Sequence, residues 1–175
     1  ILKIHLSVLI LMHCIMIREA LDSVSLKNTR LIILTGRSGR EISAVLRNCE
    51  DQFGFPRINV NTELSRGLLD LPPCDRPIMA ERLLHEIIMK VEGEAVLLDR
   101  TEVLFSRDLA LDPFRLLSNL GRYKTVIAAW NGDYDGSELV YAYTGHDDYR
   151  RYGRNHLGDT PILSVSSNGR GCVVA

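Results

Sequence analysis

The sequence predicts a three-layer α/β domain around a mainly parallel, five-stranded sheet, and three observations lead there. Short apolar runs alternate with stretches of helical periodicity, the pattern of strands joined through helices. Three of the runs end in a glycine or a polar residue, namely Gly36, Asp99 and Asn131. No repeat, low-complexity stretch or linker divides the 175 residues, a length that buries roughly 70% of the surface its unfolded chain exposes.

Residues 8–17 are apolar except for His13, and ten residues are too few to cross about 30 Å of hydrocarbon. With Lys3 ahead they loosely imitate a signal peptide, yet Arg18 and Glu19 follow where a small-x-small cleavage site belongs. The preferred reading is a helix packed on the core, with Met12 and Met16 as alternative translation starts. Residues 1–15 are therefore set apart as an apolar extension, 16–152 as the domain and 153–175 as a tail.

Ile17, Ala20, Leu21 and Val24 recur at helical spacing. Residues 31–35 (LIILT) read as a buried parallel strand ending at Gly36, and Ile42, Val45, Leu46 and Cys49 mark one face of a following helix. Residues 57–60 form a second strand and 64–71 a helix that Pro72-Pro73 ends. Residues 78–91 carry the clearest amphipathic pattern, Ala80, Leu84, Ile87, Ile88 and Val91 inside, with His85 on the solvated side. Residues 95–99 (AVLLD) are the third strand. Asp112 as N-cap, Pro113 at the first helical position and Gly121 as C-cap frame a helix whose Phe114, Leu117 and Leu120 face the sheet.

Residues 125–130 are the fourth strand and 138–143 the last. Only seven residues separate them, whereas a parallel crossover needs a dozen or more. The Asn-Gly and Asp-Gly pairs favour a tight turn, so the last strand is either antiparallel or reached by an extended loop.

Net charge is −1, from 21 basic and 22 acidic side chains, so no global field draws nucleic acid or an anionic membrane. The four cysteines show no C-x-x-C pair and no histidine at zinc-ligand spacing, which fits free thiols in a reducing cytoplasm.

The chemistry gathers at the strand ends, where ligands bind in open α/β sheets. Gly36-Arg37-Ser38-Gly39-Arg40-Glu41-Ile42-Ser43 stands where a G-x-x-x-x-G-K-[ST] phosphate loop would and keeps its first glycine and final hydroxyl. Glu41 and Ile42 replace the Gly-Lys, and Ile42 falls on the apolar stripe of the helix. In a shorter register Gly39-Arg40 replaces Gly-Lys, with Arg40 or Arg37 reaching the phosphates. The alternative is a plain Gly/Ser turn. Asp99 matches the acid of a Walker B strand, which with Ser43 would hold Mg²⁺. Glu102 reads either as the carboxylate that polarises water or as a helix-start acid facing the dipole. Asn131 reads as a water- or γ-phosphate-orienting amide or as the start of an Asn-Gly turn. Arg122 reads as a charge-stabilising arginine, in cis or in a neighbouring subunit, or as an exposed side chain.

Gly145-His146-Asp147-Asp148 and Tyr149-Arg150-Arg151-Tyr152-Gly153-Arg154 are weaker. Adjacent residues rarely converge on one metal. The basic and aromatic stretch suits either nucleic-acid contact or a solvated helix start.

Loop, acid and polar strand end, in that order, make the expected fold a P-loop NTPase-like core of the RecA/AAA type. The chain also resembles BrxF, the small P-loop-containing component of type III BREX bacteriophage-defence systems, over roughly residues 16–152. The resemblance is carried by residues 61–71 (NTELSRGLLDL), 97–105 (LLDRTEVLF), 112–117 (DPFRLL), 129–132 (AWNG) and 141–152 (YAYTGHDDYRRY). It implies a cytoplasmic bacterial protein working beside other BREX proteins, including a DNA methyltransferase, a large ATPase and an alkaline-phosphatase-like protein. It puts Gly36, Gly39 and Ser43 on a nucleotide loop for ATP and Mg²⁺, Asp99 on the Walker B acid, Glu102 on the acid after it and Asn131 on the polar strand end. Homo-oligomerisation and direct DNA contact are left open. Two functions follow: an ATP-binding or ATP-hydrolysing switch subunit, or a noncatalytic P-loop relative kept for protein contacts. With Glu41 and Ile42 in the loop, weak or absent Mg-ATP binding and little hydrolysis are expected.

Overall fold

The structure is a computed structural model describing residues 2–165, with side chains described from Met12 onward. Residues 166–175, the end of the expected tail and with it Cys172, lie outside the described residues, as does Ile1. Chain order is α1 (Leu2–Val24), β1 (Leu31–Gly36), α2 (Gly39–Phe53), β2 (Arg57–Asn59), α3 (Val60–Leu68), α4 (Arg76–Lys90) and β3 (Ala95–Asp99). After two short 3-10 turns come α5 (Pro113–Leu120), β4 (Thr125–Tyr134), β5 (Glu138–Tyr141), β6 (Arg150–Gly153), α6 (Arg154–Leu157) and β7 (Ile162–Ser164). Among the described residues no helix is long and apolar enough to cross a membrane.

Five strands run parallel in the order β2-β3-β4-β1-β7, and β5 and β6 extend β4 as an antiparallel pair. The alternation of strand side chains sorts the helices into two layers. Leu31, Ile33, Val96, Leu98, Val126 and Ala128 face the core shared with α3, α4 and α5. Ile32, Leu34, Leu97, Ile127 and Ala129 face the core shared with α1 and α2. From α1, Ile17, Ala20 and Val24 pack there, so its last turns are part of the domain. Two helical layers around one sheet are the three-layer arrangement the alternating pattern predicts.

Two expectations change. The predicted five strands are seven among the described residues, and the last parallel one is β7 on the outer edge of β1. Three residues long and directly after Pro161, it is too short to show a period. The segment 138–143 forms β5, which is antiparallel, and Asn131-Gly132 is no turn. β4 runs on to Tyr134 and turns at Asp135-Gly136, where Gly136 has φ +96° and Asp135 accepts bonds from the Ser137 and Glu138 N–H groups. Gly132 is glycine for a different reason: a Cβ there would stand 1.8 Å from the Val140 carbonyl oxygen. The basic stretch at 149–154 is β6 entering α6, with Tyr152 buried, its hydroxyl donating to Asp112 Oδ1, and Arg151 paired with Glu138.

Asp112 caps α5 by accepting from Arg115 N–H, as its sequence position predicts. Gly121 follows with φ −60°, so it is no left-handed cap; a Cβ there would lie 3.3 Å from the Arg30 backbone, where the Arg30 N–H donates to the Gly121 carbonyl. Buried Lys124 closes the end of α4, donating to the Ile88 and Val91 carbonyls. A cation there also complements the helix dipole. His85 is half-buried, its ring edge-on to Tyr123 at 5.0 Å.

Two predictions follow from this packing. Gly132→Ala forces β4 and β5 apart and costs about 1–3 kcal/mol in urea unfolding, with more of the loss in amide-exchange protection of β5 than of β1. Burial, with Cys14 adding to it, pushes the Cys49 thiol up to about 12, and burial beside Glu102 and Asp148 pushes the Tyr141 hydroxyl up to about 12. Both groups hold their protons more tightly folded than unfolded, where they titrate near about 8.5 and 10. Their contribution is complete below about pH 8.5 and is lost as pH rises towards 12. Melting temperature falls across that window, and a pH profile identical in Cys49→Ala would rule out the thiol as a cause.

Candidate functional site

Asp99 ends β3 and is 3% exposed. A buried carboxylate stays charged only when it is paired and hydrogen-bonded, and the chain supplies three donors. Ser43 Oγ gives 2.7 Å to Oδ1, the Arg100 N–H gives 2.9 Å to the same oxygen, and Arg57 Nη1 gives 2.9 Å to Oδ2. Arg100 reaches that geometry in the left-handed region, φ +52°, a conformation costing a non-glycine residue about 1–2 kcal/mol.

Arg57 stands at the start of β2 and spans two acids, since its Nε donates 2.8 Å to Glu50 Oε2 on α2. Its pKa is raised, first by the Glu50 hydrogen bond and with burial opposing, so the guanidinium stays charged. Nothing in the residue pattern marked Arg57 or Glu50 as part of a site. The available signal was a cation opening the strand next to the acid-bearing one.

A second cluster lies one turn further. Glu102 begins a 3-10 turn and is held between two amides, Asn131 Nδ2 at 2.5 Å to Oε1 and Asn61 Nδ2 at 2.7 Å to Oε2. Asn61 in turn accepts from the Val103 N–H at 2.8 Å, and its own N–H donates to the Arg100 carbonyl. Asn61 stands in the segment that carries the family resemblance, without a role assigned to it. Thr101 Oγ1 donates to the Ala129 carbonyl and Thr35 Oγ1 to the Gly132 carbonyl, fixing β4 between the other two strand ends.

The loop residues are placed differently from a phosphate cradle. Only Arg37 and Ser38 separate β1 from α2, which begins at Gly39. Ser38 is the N-cap; its side chain accepts from the Glu41 N–H and its carbonyl accepts from the Glu41 and Ile42 N–H groups. Ser38-Gly39-Arg40-Glu41 has the S-x-x-E spacing of a capping box, the signal that would have foretold this helix start. Gly39 lies against Asn131, where a Cβ would stand 3.2 Å from Nδ2. Arg37 is exposed and paired with Asp133 through both carboxylate oxygens at 2.9 Å, while Arg40 is exposed and makes no ion pair among the described residues. Ile42 is 0% exposed, in the core with Val45, Leu46 and Cys49.

The structure thus brings together Gly36, Ser38, Gly39, Ser43, Asp99, Glu102 and Asn131. Arg122 stands apart. It follows α5, before β4 enters the sheet, about 20 Å of strand from Asn131, and it lines a cleft of about 540 Å³ between α4 and α5. It does not meet the strand-end residues of this chain. In the Gly145–Asp148 stretch, His146 Nδ1 accepts from the Asp148 N–H and Asp147 pairs with Arg107, and no group of three or more metal-ligating side chains forms among the described residues.

The residues present do not fit a bound Mg²⁺ while Arg57 is seated, because its guanidinium holds Asp99 Oδ2 and stands between that carboxylate and Glu50. They do not fit a phosphate cradle either, because the first turn of α2 and its cap occupy the loop.

Removing either charge should expose this dependence. Arg57→Met leaves Asp99 buried without its cation and is expected to cost about 2–3 kcal/mol, at the low end for a buried pair because Arg57 is a quarter exposed. The Arg57→Met/Asp99→Asn double variant loses less than the sum of the singles, by about 1–3 kcal/mol in a urea-unfolding cycle. Comparison of the chain with protein-family models, with curated proteins and with solved structures gives no match.

Proposed function

We propose that this protein is a noncatalytic P-loop relative of the BrxF kind, serving as an interaction module of a bacterial phage-defence assembly. The observation that carries the reading is what Glu41 and Ile42 do. If the Ser43–Asp99 bond sets the register, these two residues stand where a nucleotide loop has its Gly-Lys. Glu41 instead sits in the capped first turn of α2, and Ile42 is sealed in the core. The framework of a nucleotide site is kept, and the lysine that would reach the β- and γ-phosphates is absent from it. The strand order supports the same family of folds, since β4 with Asn131 lies between the loop strand β1 and the acid strand β3. The BREX proteins named by the resemblance are the partners of this reading, and a cytoplasmic location goes with them.

The second reading is a nucleotide switch, and one observation favours it. Glu102 is oriented by Asn61 and Asn131 as a water-polarising acid would be. Switching would require the first turn of α2 to open and Arg57 to leave Asp99.

Calorimetric titration of Mg-ATP into the full chain separates the two. Expected are no saturable heat in the micromolar range and phosphate release at the buffer rate. Micromolar binding that disappears in Asp99→Ala, or turnover sensitive to Glu102→Gln, would overturn the noncatalytic reading and establish the switch.

A further inference from the structure

Two carboxylates and one guanidinium meet beside α2. Asp99 Oδ2 and Glu50 Oε2 come from different elements and lie 2.9 and 2.8 Å from nitrogens of the same side chain, Arg57. Ser43 Oγ holds the other oxygen of Asp99. These are hard oxygen donors of the kind that bind divalent cations at about 2.0–2.6 Å, gathered around a cation that belongs to the chain.

We propose that Arg57 is the resident cation of the strand-end site, holding Asp99 and Glu50 in place as a divalent ion would and excluding that ion. The inference rests on the side-chain chemistry and stands whether or not the phosphate-loop reading does. A guanidinium suits the role because its planar fork serves two carboxylates at once and it cannot lose its proton. A divalent ion could not enter without breaking the Arg57–Asp99 contact, since Asp99 is buried and its remaining contacts are to Ser43 and the Arg100 N–H. One positive charge faces two negative ones, so the cluster keeps a net charge of −1. Taking the arginine away leaves both carboxylates facing the vacated space, and the site should then demand the divalent ion that it now excludes.

The test is the thermal stability of the full chain and its Arg57→Ser variant, each in EDTA and in millimolar MnCl₂. The natural chain is expected to melt at the same temperature in both. Arg57→Ser melts lower in EDTA and recovers by about 3–6 °C in Mn²⁺, while Arg57→Lys, which keeps the charge, does not respond to the ion. A comparable rise in the natural chain would overturn the proposal, because the ion would then bind beside the arginine. So would an Arg57→Ser variant that folds and ignores Mn²⁺. Should Arg57→Ser fail to fold, Arg57→Ser/Asp99→Asn, which buries no unpaired charge at this place, is expected to fold and to ignore the ion. Its failure to fold would count against the proposal, since the arginine would then be needed for something other than its charge.

Discussion

The burial of Asp99 is the constraint on which the strand-end architecture depends. A carboxylate at 3% exposure must recover by pairing the several kcal/mol lost on leaving water. Its partners are therefore drawn from every element around it: Ser43 from α2, Arg57 from β2 and the Arg100 N–H from the turn after β3. Each bond also fixes geometry. Ser43 sets the rotation of α2 over the sheet, and that rotation seats Ile42, Val45, Leu46 and Cys49 against Ile32, Leu34 and Ile127. Arg57 ties the edge strand β2 to α2 as well as to β3.

A second network carries this order across the sheet. Asn131 lies on β4 just before Gly132 pairs with β5, so its position is set from two sides. On one side the Thr35 and Thr101 hydroxyls bond carbonyls of β4. On the other, Trp130 Nε1 donates to the Val140 carbonyl, and the Phe105 ring stacks on Tyr141 with centroids 3.5 Å apart and meets Trp130 edge-on. Phe105 also ends the 3-10 turn that begins with Glu102. The hairpin and the Glu102 clamp are therefore two ends of one packed unit, joined by backbone pairing and aromatic contact.

The sequence shows the layered fold well because burial on both faces leaves a continuous apolar run that little else produces. The strands at 31–35, 95–99 and 125–130 and the stripes of α2, α4 and α5 were all legible for that reason, while the run of β4 on to Tyr134 was not. β7 was not, since three residues carry no period, and the direction of β5 was not, since it depends on where β4 stops pairing. Within the site, Ser43, Asp99, Glu102 and Asn131 were legible because strand ends can be counted. Arg57, Glu50 and Asn61 were hidden because they come together only through the pairing of β2 with β3 and the packing of α2. Long-range side-chain meetings leave no spacing in the chain.

Glu41 and Ile42 look like losses when the loop is measured against a phosphate cradle, and the local physics gives them another account. A cradle needs residues held out of the helix so that their N–H groups point at an anion. Such a loop is stable when the anion or a lysine returns the free energy of ordering it. Without the lysine, the segment gains more by becoming helix. The Ser38 side chain caps the Glu41 N–H, a first-turn donor that would otherwise go unsatisfied. Glu41 places a negative charge where the helix dipole favours one. Ile42 buries its whole side chain, about 2–3 kcal/mol of transfer free energy. A lysine at 42 would enter the same apolar core with no acid to meet it, so restoring the motif in this background would strain the fold. The two residues form a consistent pair, each suited to a helix that starts at Gly39, and that consistency weighs against a site merely damaged by chance.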